Sequence, residues 1–393
     1  MFSALLPLVL LPTLGQGAAQ QTGVSIYDKP LPWSSNVGSG VPEFWVRPGY
    51  KVTLAAEKLV NARFMVLDGK GNLFLSRPDR GDIIRLAKKG DRYENAGTFV
   101  KGYRTVHGMD IHDGWLWFTQ SGAIFKTKIQ PDGSAGPIET VLDGLPNGGH
   151  WWRPILVVQD GFFTGIGDGG NISDQRDTDR EKIWKYSLDG KTRTLWASGL
   201  RNTEKYAFRP GTEELFGADH GSDWYGGKLG EGENKPQPVT DAYPPCEFNR
   251  YVKGGFYGHP FFVGQNVPRL EFADRPDMDE IAKTAIPPVW PLGPHWAPNG
   301  WTFATKSGAV NAGDAVIACH GSWNRSIKSG YRVEQVLFDA ATGQPYGSLM
   351  LVGELSKTGD VLGRPVDVVE EPNGDLLFSD DGTNCIYRIS KVK

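Results

Sequence analysis

The chain has 393 residues, a net charge of −3 and only 22% charged residues, with 51 glycines, 27 prolines and 13 tryptophans. This composition is typical of short strands joined by turns and argues against a helical protein. The negative net charge argues against nucleic acid as a partner, because binding to phosphates needs a basic surface.

The N-terminal segment has the pattern of a secretory signal peptide. An apolar run over residues 4–14 is followed by small residues over 17–19, which predicts cleavage after Ala19. A membrane anchor is the alternative, but it would need roughly 18 apolar residues, and Pro7 and Pro12 interrupt this run. We therefore predict a signal peptide over residues 1–19, a secreted protein, and no membrane span.

Cysteines and glycosylation motifs add little to this picture. Three cysteines, Cys246, Cys319 and Cys385, allow at most one disulfide and have no zinc-site spacing. Asn171 and Asn324 lie in Asn-x-Ser motifs, so a secreted chain is expected to be a glycoprotein at Asn171. The Asn324 motif lies in a segment assigned below to the site, and we expect it to be unmodified.

An internal repeat runs through the rest of the chain. Each copy reads as an apolar strand, a polar turn, a second strand, a polar loop and a third strand, with Asp-Gly, Asn-Gly or Pro-Gly turns typical of hairpins. The copies begin at Phe64, Gly108, Ile155, Lys205, Gly300 and Val366. Six copies predict an all-β, six-bladed β-propeller with four-stranded blades.

Three further expectations follow from the repeat. A β-sandwich is the alternative fold, but it does not explain why the same unit recurs at this spacing. Proline-rich stretches at 226–245 and 267–294 interrupt the pattern, and we expect both to be loops over one face. Residues 24–60 are expected to supply the strand that closes the ring.

The repeat places polar residues from every blade on one face. In a propeller the first strand of each blade lines the channel, so the loop entering it and the loop between strands two and three share a face. The entering loops carry Arg63, Arg104, His107, His150, Arg153, Arg201, Asn202, His295, Trp296, Asn299 and Arg364. The second loops carry Arg77, Arg80, Asp168, Asp219, His220, His320, Trp323, Asn324, Arg325, Asp380 and Asp381.

This convergence predicts an anionic ligand. Several cations at one end of a channel repel one another unless an anion lies between them, and arginine donates two parallel hydrogen bonds to carboxylates. A histidine among these cations stays neutral and can act as a general base. We interpret His259, in the YGHP segment, as structural.

Five segments then resemble the soluble sugar dehydrogenases that depend on pyrroloquinoline quinone (PQQ). GLRNTEKYAF (199–208) and YVKGGFYGHP (251–260) resemble two blocks of that family. HGSWNRS (320–326), GRPVDVV (363–369) and LLFSDDGTNCIYRI (376–389) look like its sorbosone-dehydrogenase branch. The likeness is strongest to the catalytic domain of fungal pyranose dehydrogenases of auxiliary-activity family 12. We expect residues 20–393 to form this domain alone, without a cytochrome or cellulose-binding module.

The resemblance implies PQQ, a planar quinone with three carboxylates, and Ca²⁺ as cofactors. The implied cofactor-binding residues are Arg63, Arg201, Asn202, His320, Asn324, Arg325 and Arg364. Arg63 is placed by the repeat alone, and Val366 stands where the family has a second arginine beside Arg364. The implied calcium ligands are the main-chain carbonyls of Gly221 and Ser222, since Ca²⁺ takes oxygen ligands.

The resemblance also implies the chemistry. His150, in NGGHWWRP, takes the place of the catalytic base that deprotonates the anomeric hydroxyl of a sugar, and Arg201 stabilises charge that develops on the quinone. Trp151, Trp152 and Trp296 are expected to stack on the sugar. Electrons would pass to an external acceptor, a cytochrome domain or a small quinone.

Two other functions remain open at this point. A calcium-dependent lactonase could share a six-bladed scaffold, with Asp168, Asp219 and Asp380 recruited as ligands, although the excess of arginine fits it badly. A non-catalytic carbohydrate-binding propeller is the other alternative, and it would not need a cationic ring around the channel.

Overall fold

The computed structural model describes residues 32–226 and 238–392, with the side chains of 238 and 239 excepted. The predicted signal peptide lies outside the described residues. Two strands come first, β1 (Trp45–Val46) and β2 (Tyr50–Ala56). Blade one is β3 (Met65–Leu67), β4 (Asn72–Arg77), β5 (Asp82–Lys89) and β6 (Arg92–Lys101). Blade two is β7 (Met109–His112), β8 (Trp115–Thr119), β9 (Ile124–Ile129) and β10 (Ala135–Leu142).

The third and fourth blades contain the long insertions. Blade three is β11 (Leu156–Val158), β12 (Gly161–Ile166), β13 (Lys182–Tyr186) and β14 (Arg193–Ser198). Blade four starts with β15 (Thr203–Phe208), β16 (Leu215–Asp219) and, after helix α1 (Pro238–Ala242), β17 (Pro245–Tyr251). Then β18 (Gly255–Phe256) adds to blade three beside β14, and β19 (Phe262–Val263) pairs with β20 (Val267–Pro268). A 3₁₀ turn (Leu270–Phe272) and helix α2 (Met278–Ala282) precede β21 (Trp290–Pro294), the last strand of blade four.

Blades five and six include the two N-terminal strands, β1 and β2. Blade five is β22 (Pro298–Phe303), β23 (Ala315–Cys319), β24 (Arg332–Phe338) and β25 (Pro345–Gly353), with β1 at its edge. Blade six is β26 (Pro365–Glu370), β27 (Leu376–Asp380), β28 (Cys385–Lys391) and β2. The antiparallel pairing of β2 with β28 joins the two ends of the described chain and confirms the predicted closing strand.

Contacts between blades explain why these sequences form a ring. The first strands touch in order from β3 through β7, β11, β15, β22 and β26 back to β3. Six apolar clusters lie between successive blades, so each sheet is buried on both faces. The fully buried second strands β16, β23 and β27 therefore read as nearly continuous apolar runs. These contacts confirm the six-bladed β-propeller.

The insertions differ in part from the expected loops. The 226–245 stretch includes helix α1, and residues 227–237 lie outside the described part of the chain. The 267–294 stretch contains α2 and ends in β21, so the prediction of a loop throughout was wrong. The proline-rich WPLGP segment still forms a strand because it lies at the edge of its blade, where missing N–H donors are tolerated.

Glu371 connects the two blades at the closure of the ring. Its buried carboxylate accepts hydrogen bonds from Lys88 at 2.7 Å, from the hydroxyl of Tyr93 at 2.9 Å and from Arg388. We expect Tyr93→Phe to lower the free energy of unfolding by about 1 kcal/mol, because it removes one buried hydrogen bond. Urea unfolding measures this loss. The exposed Tyr346, changed to Phe, is the control and should leave stability unchanged; equal effects of both changes would contradict the prediction.

Candidate active site

A cavity of about 340 Å³ lies where the predicted loops converge at one end of the channel. Most of the predicted site residues line it: Arg63, His150, Trp152, Arg201, Asn202, Gly221, His320, Asn324 and Arg364. They come from loops that enter first strands and from loops between second and third strands. The blade repeat was therefore sufficient to bring together side chains that are far apart in sequence.

Four predicted residues, Trp151, Ser222, Trp296 and Arg325, do not line the cavity. Trp296 is 2% exposed in the core between blades four and five, where its indole N–H donates to the Ser329 hydroxyl at 3.0 Å. It is therefore unavailable for stacking on a sugar, and that prediction needs correction. Trp151 packs on the ring of Trp152, with ring centroids 3.9 Å apart. The repeat located the entering loop, but it did not define the direction in which each side chain points.

His150 has the tautomer that a general base needs. Its Nδ1 lies 2.9 Å from the main-chain oxygen of Asp168, which can only accept, so Nδ1 carries the proton. This leaves Nε2 as the proton acceptor. Burial, followed by the positive charge of Arg201, lowers the pKa of His150 to about 3. The imidazole is therefore neutral at physiological pH.

Arg201 and Asn202 are held in place by a buried carboxylate at the end of β16. Asp219 accepts from the main-chain nitrogens of Arg201 at 2.9 Å and Asn202 at 2.7 Å, and from the Thr203 hydroxyl at 2.9 Å. The Arg201 guanidinium donates to the main-chain and side-chain oxygens of Asn171 at 3.0 and 2.9 Å. Asp219 therefore holds the backbone of the turn from which the Arg201 and Asn202 side chains project.

Carboxylates of the chain itself neutralise part of the arginine cluster. Arg63 pairs with Asp381 at 2.8 Å and lies 3.7 Å from Glu204, and Arg201 lies 3.4 Å from Asp223. The expectation of mutually repelling cations was thus too simple. Arg153 is not part of the cluster, because it is fully buried and donates to main-chain oxygens.

Of the three arginines that line the cavity, Arg364 has the fewest contacts with carboxylates of the chain itself. Its Nε lies 3.4 Å from the main-chain oxygen of His320, and its guanidinium forms no ion pair with a carboxylate in the described part of the chain. The His320 ring is instead paired with Asp381, at 2.9 Å. Arg364 thus retains donors that can face an anion in the cavity.

Sequence reasoning missed Glu204 in the cavity lining. Glu204 is 2% exposed and accepts from Asn202 at 3.1 Å, with ring nitrogens of His107 and His220 at 3.5 and 3.7 Å. Burial raises its pKa to about 7, which the charge of Arg63 partly opposes. The sequence could have indicated Glu204. Alternate residues of an extended segment lie on the same side, and Glu204 comes two residues after Asn202, which was already predicted to be in the site.

The Gly221–Ser222 segment provides oxygen donors beside this cluster. A Cβ at Gly221 would lie 2.6 Å from the main-chain oxygen of Pro245, so only glycine fits there. The Ser222 hydroxyl is occupied by Trp224 and Arg269, which leaves its main-chain oxygen as the possible ligand. Asp223 adds a partly exposed carboxylate to the lining. Such a set of oxygens suits a hard cation such as Ca²⁺.

An aromatic side chain marks the mouth of the cavity. Trp323 lines it with 70% of its surface exposed, and its ring meets Trp224 edge to face at 5.9 Å. Deeper in the cavity, Trp152 packs under the guanidinium of Arg63 at 4.7 Å. Trp323, and not Trp296, is therefore the tryptophan that exposes its ring at this cavity.

Together these features define a six-bladed propeller with a partly buried neutral histidine and arginine donors at one end of its channel. The sequence model of the TrAA12-like family matches residues 44–392, and the chain belongs to this family. No helix in the described ranges is long and apolar enough to cross a membrane.

The similar proteins agree with this assignment. An uncharacterized protein of Borreliella burgdorferi is 29% identical over 87% of this chain and 89% of its own length. A PQQ-dependent pyranose dehydrogenase of Coprinopsis cinerea is 22% identical over 88% of this chain, which spans only 54% of that protein.

Two solved structures share the fold. An AA12 enzyme of Trichoderma reesei, in a calcium structure, has a TM-score of 0.77 at 19% identity and covers 91% of this chain and 100% of its own. The PQQ domain of the Coprinopsis cinerea pyranose dehydrogenase, in its holo form, has a TM-score of 0.74 at 19% identity and the same coverage.

Proposed function

We propose that this chain is a PQQ- and calcium-dependent dehydrogenase that oxidises the C1 hydroxyl of a pyranose sugar and passes electrons to an external acceptor. The observation that carries the proposal is the neutral, oriented His150 in the same cavity as Arg201, Asn202 and Arg364. The TrAA12-like family membership and the PQQ-binding relatives support it.

The cavity residues suit a planar tricarboxylate. Arg364 retains guanidinium donors for a carboxylate. The amides of Asn202 and Asn324 each donate one hydrogen bond to the protein, to Glu204 and to the main-chain oxygen of Asp223, which leaves each a second N–H for a ligand. Arg63 already forms an ion pair with Asp381, so it would attract the ligand's carboxylates through its charge at a distance and would not contact them directly. When bound, PQQ would supply the two-electron acceptor that protein side chains lack.

The protein's own residues would accept the proton, stabilise the developing charge and bind the cation. Nε2 of His150 would take the proton of the sugar hydroxyl, while the hydrogen bond from Nδ1 to Asp168 holds the ring in place. Arg201, fixed by Asn171 and Asp219, would face negative charge as it develops on the ligand. Gly221, Ser222 and Asp223 would hold Ca²⁺ beside that charge.

One experiment tests the proposal as a whole. Purified protein is mixed with PQQ and CaCl₂, and dye reduction is followed with a panel of aldoses. We expect reduction with at least one aldose, and loss of activity when either PQQ is omitted or calcium is removed with a chelator. Absence of both PQQ binding and dye reduction would overturn the proposal.

The two rival functions receive less support from the geometry. The carboxylates that a lactonase would recruit, Asp168, Asp219 and Asp380, do not line the cavity, and Asp219 is occupied by the Arg201–Thr203 turn. A purely carbohydrate-binding site would not require a neutral, oriented histidine or an arginine without an ion-pair partner. Neither rival has an observation that favours it over the dehydrogenase.

Secretion belongs to the same proposal, because a small-molecule quinone and a sugar are substrates available outside the cell. We propose that residues 1–19 are removed during export. N-terminal sequencing of protein recovered from the medium of an expressing host should begin at Gln20. Recovery only from inside the cell, with Met1 retained, would contradict this part.

A substitution at Arg364 tests how the cofactor is held. We expect Arg364→Met to weaken PQQ binding about tenfold or more, because a charge-assisted hydrogen bond contributes roughly 1.5–3 kcal/mol. Titration of the protein with PQQ, followed by fluorescence quenching, measures the change in Kd. Arg104→Met is the matched control, since Arg104 also enters a first strand but is exposed and outside the cavity. Equal Kd values for both variants would contradict the role of Arg364.

A further inference from the structure

A second polar cluster includes Asp168, whose main-chain oxygen contacts His150, and none of its three residues lines the cavity. Asp168 follows β12, Glu181 precedes β13, and His259 follows β18. One ligand-type atom of each residue lies within 4.8 Å of the other two, and the residues are 0%, 1% and 6% exposed. Three separate segments of the chain therefore bring two carboxylates and an imidazole together in the interior.

The charges in this cluster are not balanced by protein cations. Within the described ranges no lysine or arginine nitrogen lies within ion-pair distance of Asp168 or Glu181, and the nearest partner of each is His259, at 2.9 and 3.9 Å. The buried Glu371 and Asp381, by contrast, are each paired with an arginine. A buried pair of carboxylates without a cation is costly, because desolvation is not offset by attraction.

Glu181 provides a second, independent observation. Neither of its carboxylate oxygens has a well-formed hydrogen bond to any described group, although both are buried. Asp168, by comparison, accepts from the main-chain nitrogens of Gly170 at 2.7 Å and Ser173 at 3.0 Å. A buried polar atom without a partner is rare in folded proteins and calls for a missing ligand or water. The Glu181 oxygens lie in the cluster, near Nε2 of His259.

The composition of the cluster indicates the kind of ligand. One imidazole nitrogen with two carboxylates suits a divalent transition metal, and zinc binds such ligands with one position open to water. Calcium prefers oxygen ligands alone, so the cluster differs in chemistry from the Gly221–Ser222 segment. We propose that Asp168, Glu181 and His259 bind one divalent transition-metal cation, of which Zn²⁺ is the best chemical match.

This site would stabilise the loop that orients His150. The main-chain oxygen of Asp168 accepts from both the main-chain nitrogen and Nδ1 of His150, each at 2.9 Å. The main-chain nitrogen of His259 donates to Gly199, two residues before Arg201. A cation bound by the two side chains would tie together the segments that carry the base and the arginine. The inference does not depend on PQQ, because it concerns residues outside the cavity.

Zinc binding to chelator-treated, calcium-saturated protein tests the proposal. Isothermal titration with ZnCl₂ should give one site per chain, and Tm should rise by about 3 °C at a hundredfold excess over Kd. His259→Gln and Glu181→Gln should abolish both effects.

A surface histidine provides the control. His112→Gln removes an imidazole that is partly exposed on β7, and it should bind zinc as the wild type does. Loss of zinc binding in either cluster variant, with binding retained in His112→Gln, would support the site. Absence of zinc binding by the wild type, or unchanged binding by both cluster variants, would overturn it. Either result is independent of whether the protein reduces a dye with PQQ.

Discussion

His150→Ala is expected to lower turnover with PQQ, calcium and sugar by roughly 10²–10⁴-fold, the range that a general base contributes. Nε2 of His150 is the nitrogen that can accept a proton, because Nδ1 donates to the main-chain oxygen of Asp168 and the ring is neutral beside Arg201. His150→Gln should lose as much, since glutamine can donate to Asp168 but cannot accept a proton. Initial rates of dye reduction at saturating sugar measure the change.

Measurement of PQQ binding distinguishes a variant that has lost only the catalytic base from one whose cofactor site is disrupted. Both His150 variants should bind PQQ within a few-fold of the wild type and unfold at a similar urea concentration. His112→Ala, which changes a histidine away from the cavity, should keep full turnover. Full turnover by His150→Ala would show that the base is a different group. Loss of PQQ binding would show that His150 holds the cofactor instead.

Asp219→Ala should have the second large effect, on both stability and cofactor affinity. The variant leaves the main-chain nitrogens of Arg201 and Asn202 and the Thr203 hydroxyl without their buried acceptor. Each unsatisfied group costs about 1–3 kcal/mol, so we expect a loss of about 3 kcal/mol in the free energy of unfolding. PQQ affinity should fall at least tenfold, because the turn that presents Arg201 and Asn202 is released.

Asp314 offers a matched control for this substitution. It is also a buried acceptor, of the Phe338 main-chain nitrogen and the Gln335 amide, but it precedes β23 at the end away from the cavity. Asp314→Ala should lower stability comparably and leave PQQ affinity unchanged. Urea unfolding and PQQ titration of both variants give the comparison. If the two variants lose PQQ affinity equally, the loss in Asp219→Ala comes from general destabilisation. Asp219 would then have no specific role in positioning Arg201 and Asn202.

The turns and strands were predictable because their signals are local. The Asp113–Gly114 turn has positive φ at both residues, 48° and 78°, as a two-residue hairpin between β7 and β8 requires. Apolar second strands, each preceded by a polar turn or loop, recur six times, and this period predicted the number of blades. The same period predicted which loops share a face. It could not predict side-chain direction, and Trp296, with residues of positive φ on both sides, turns into the core.

The sequence by itself thus determined the blade number, the closing strand and the face on which His150, Arg201 and Arg364 converge, because these follow from short-range patterns repeated along the chain. Only the tertiary structure decided which charges meet. Arg63 pairs with Asp381, 318 residues away, and Glu181 lies beside His259 with no lysine or arginine of the described residues at ion-pair distance. Such pairings depend on how six blades close into a ring, and electrostatic energy depends on distance and burial, neither of which a local pattern contains.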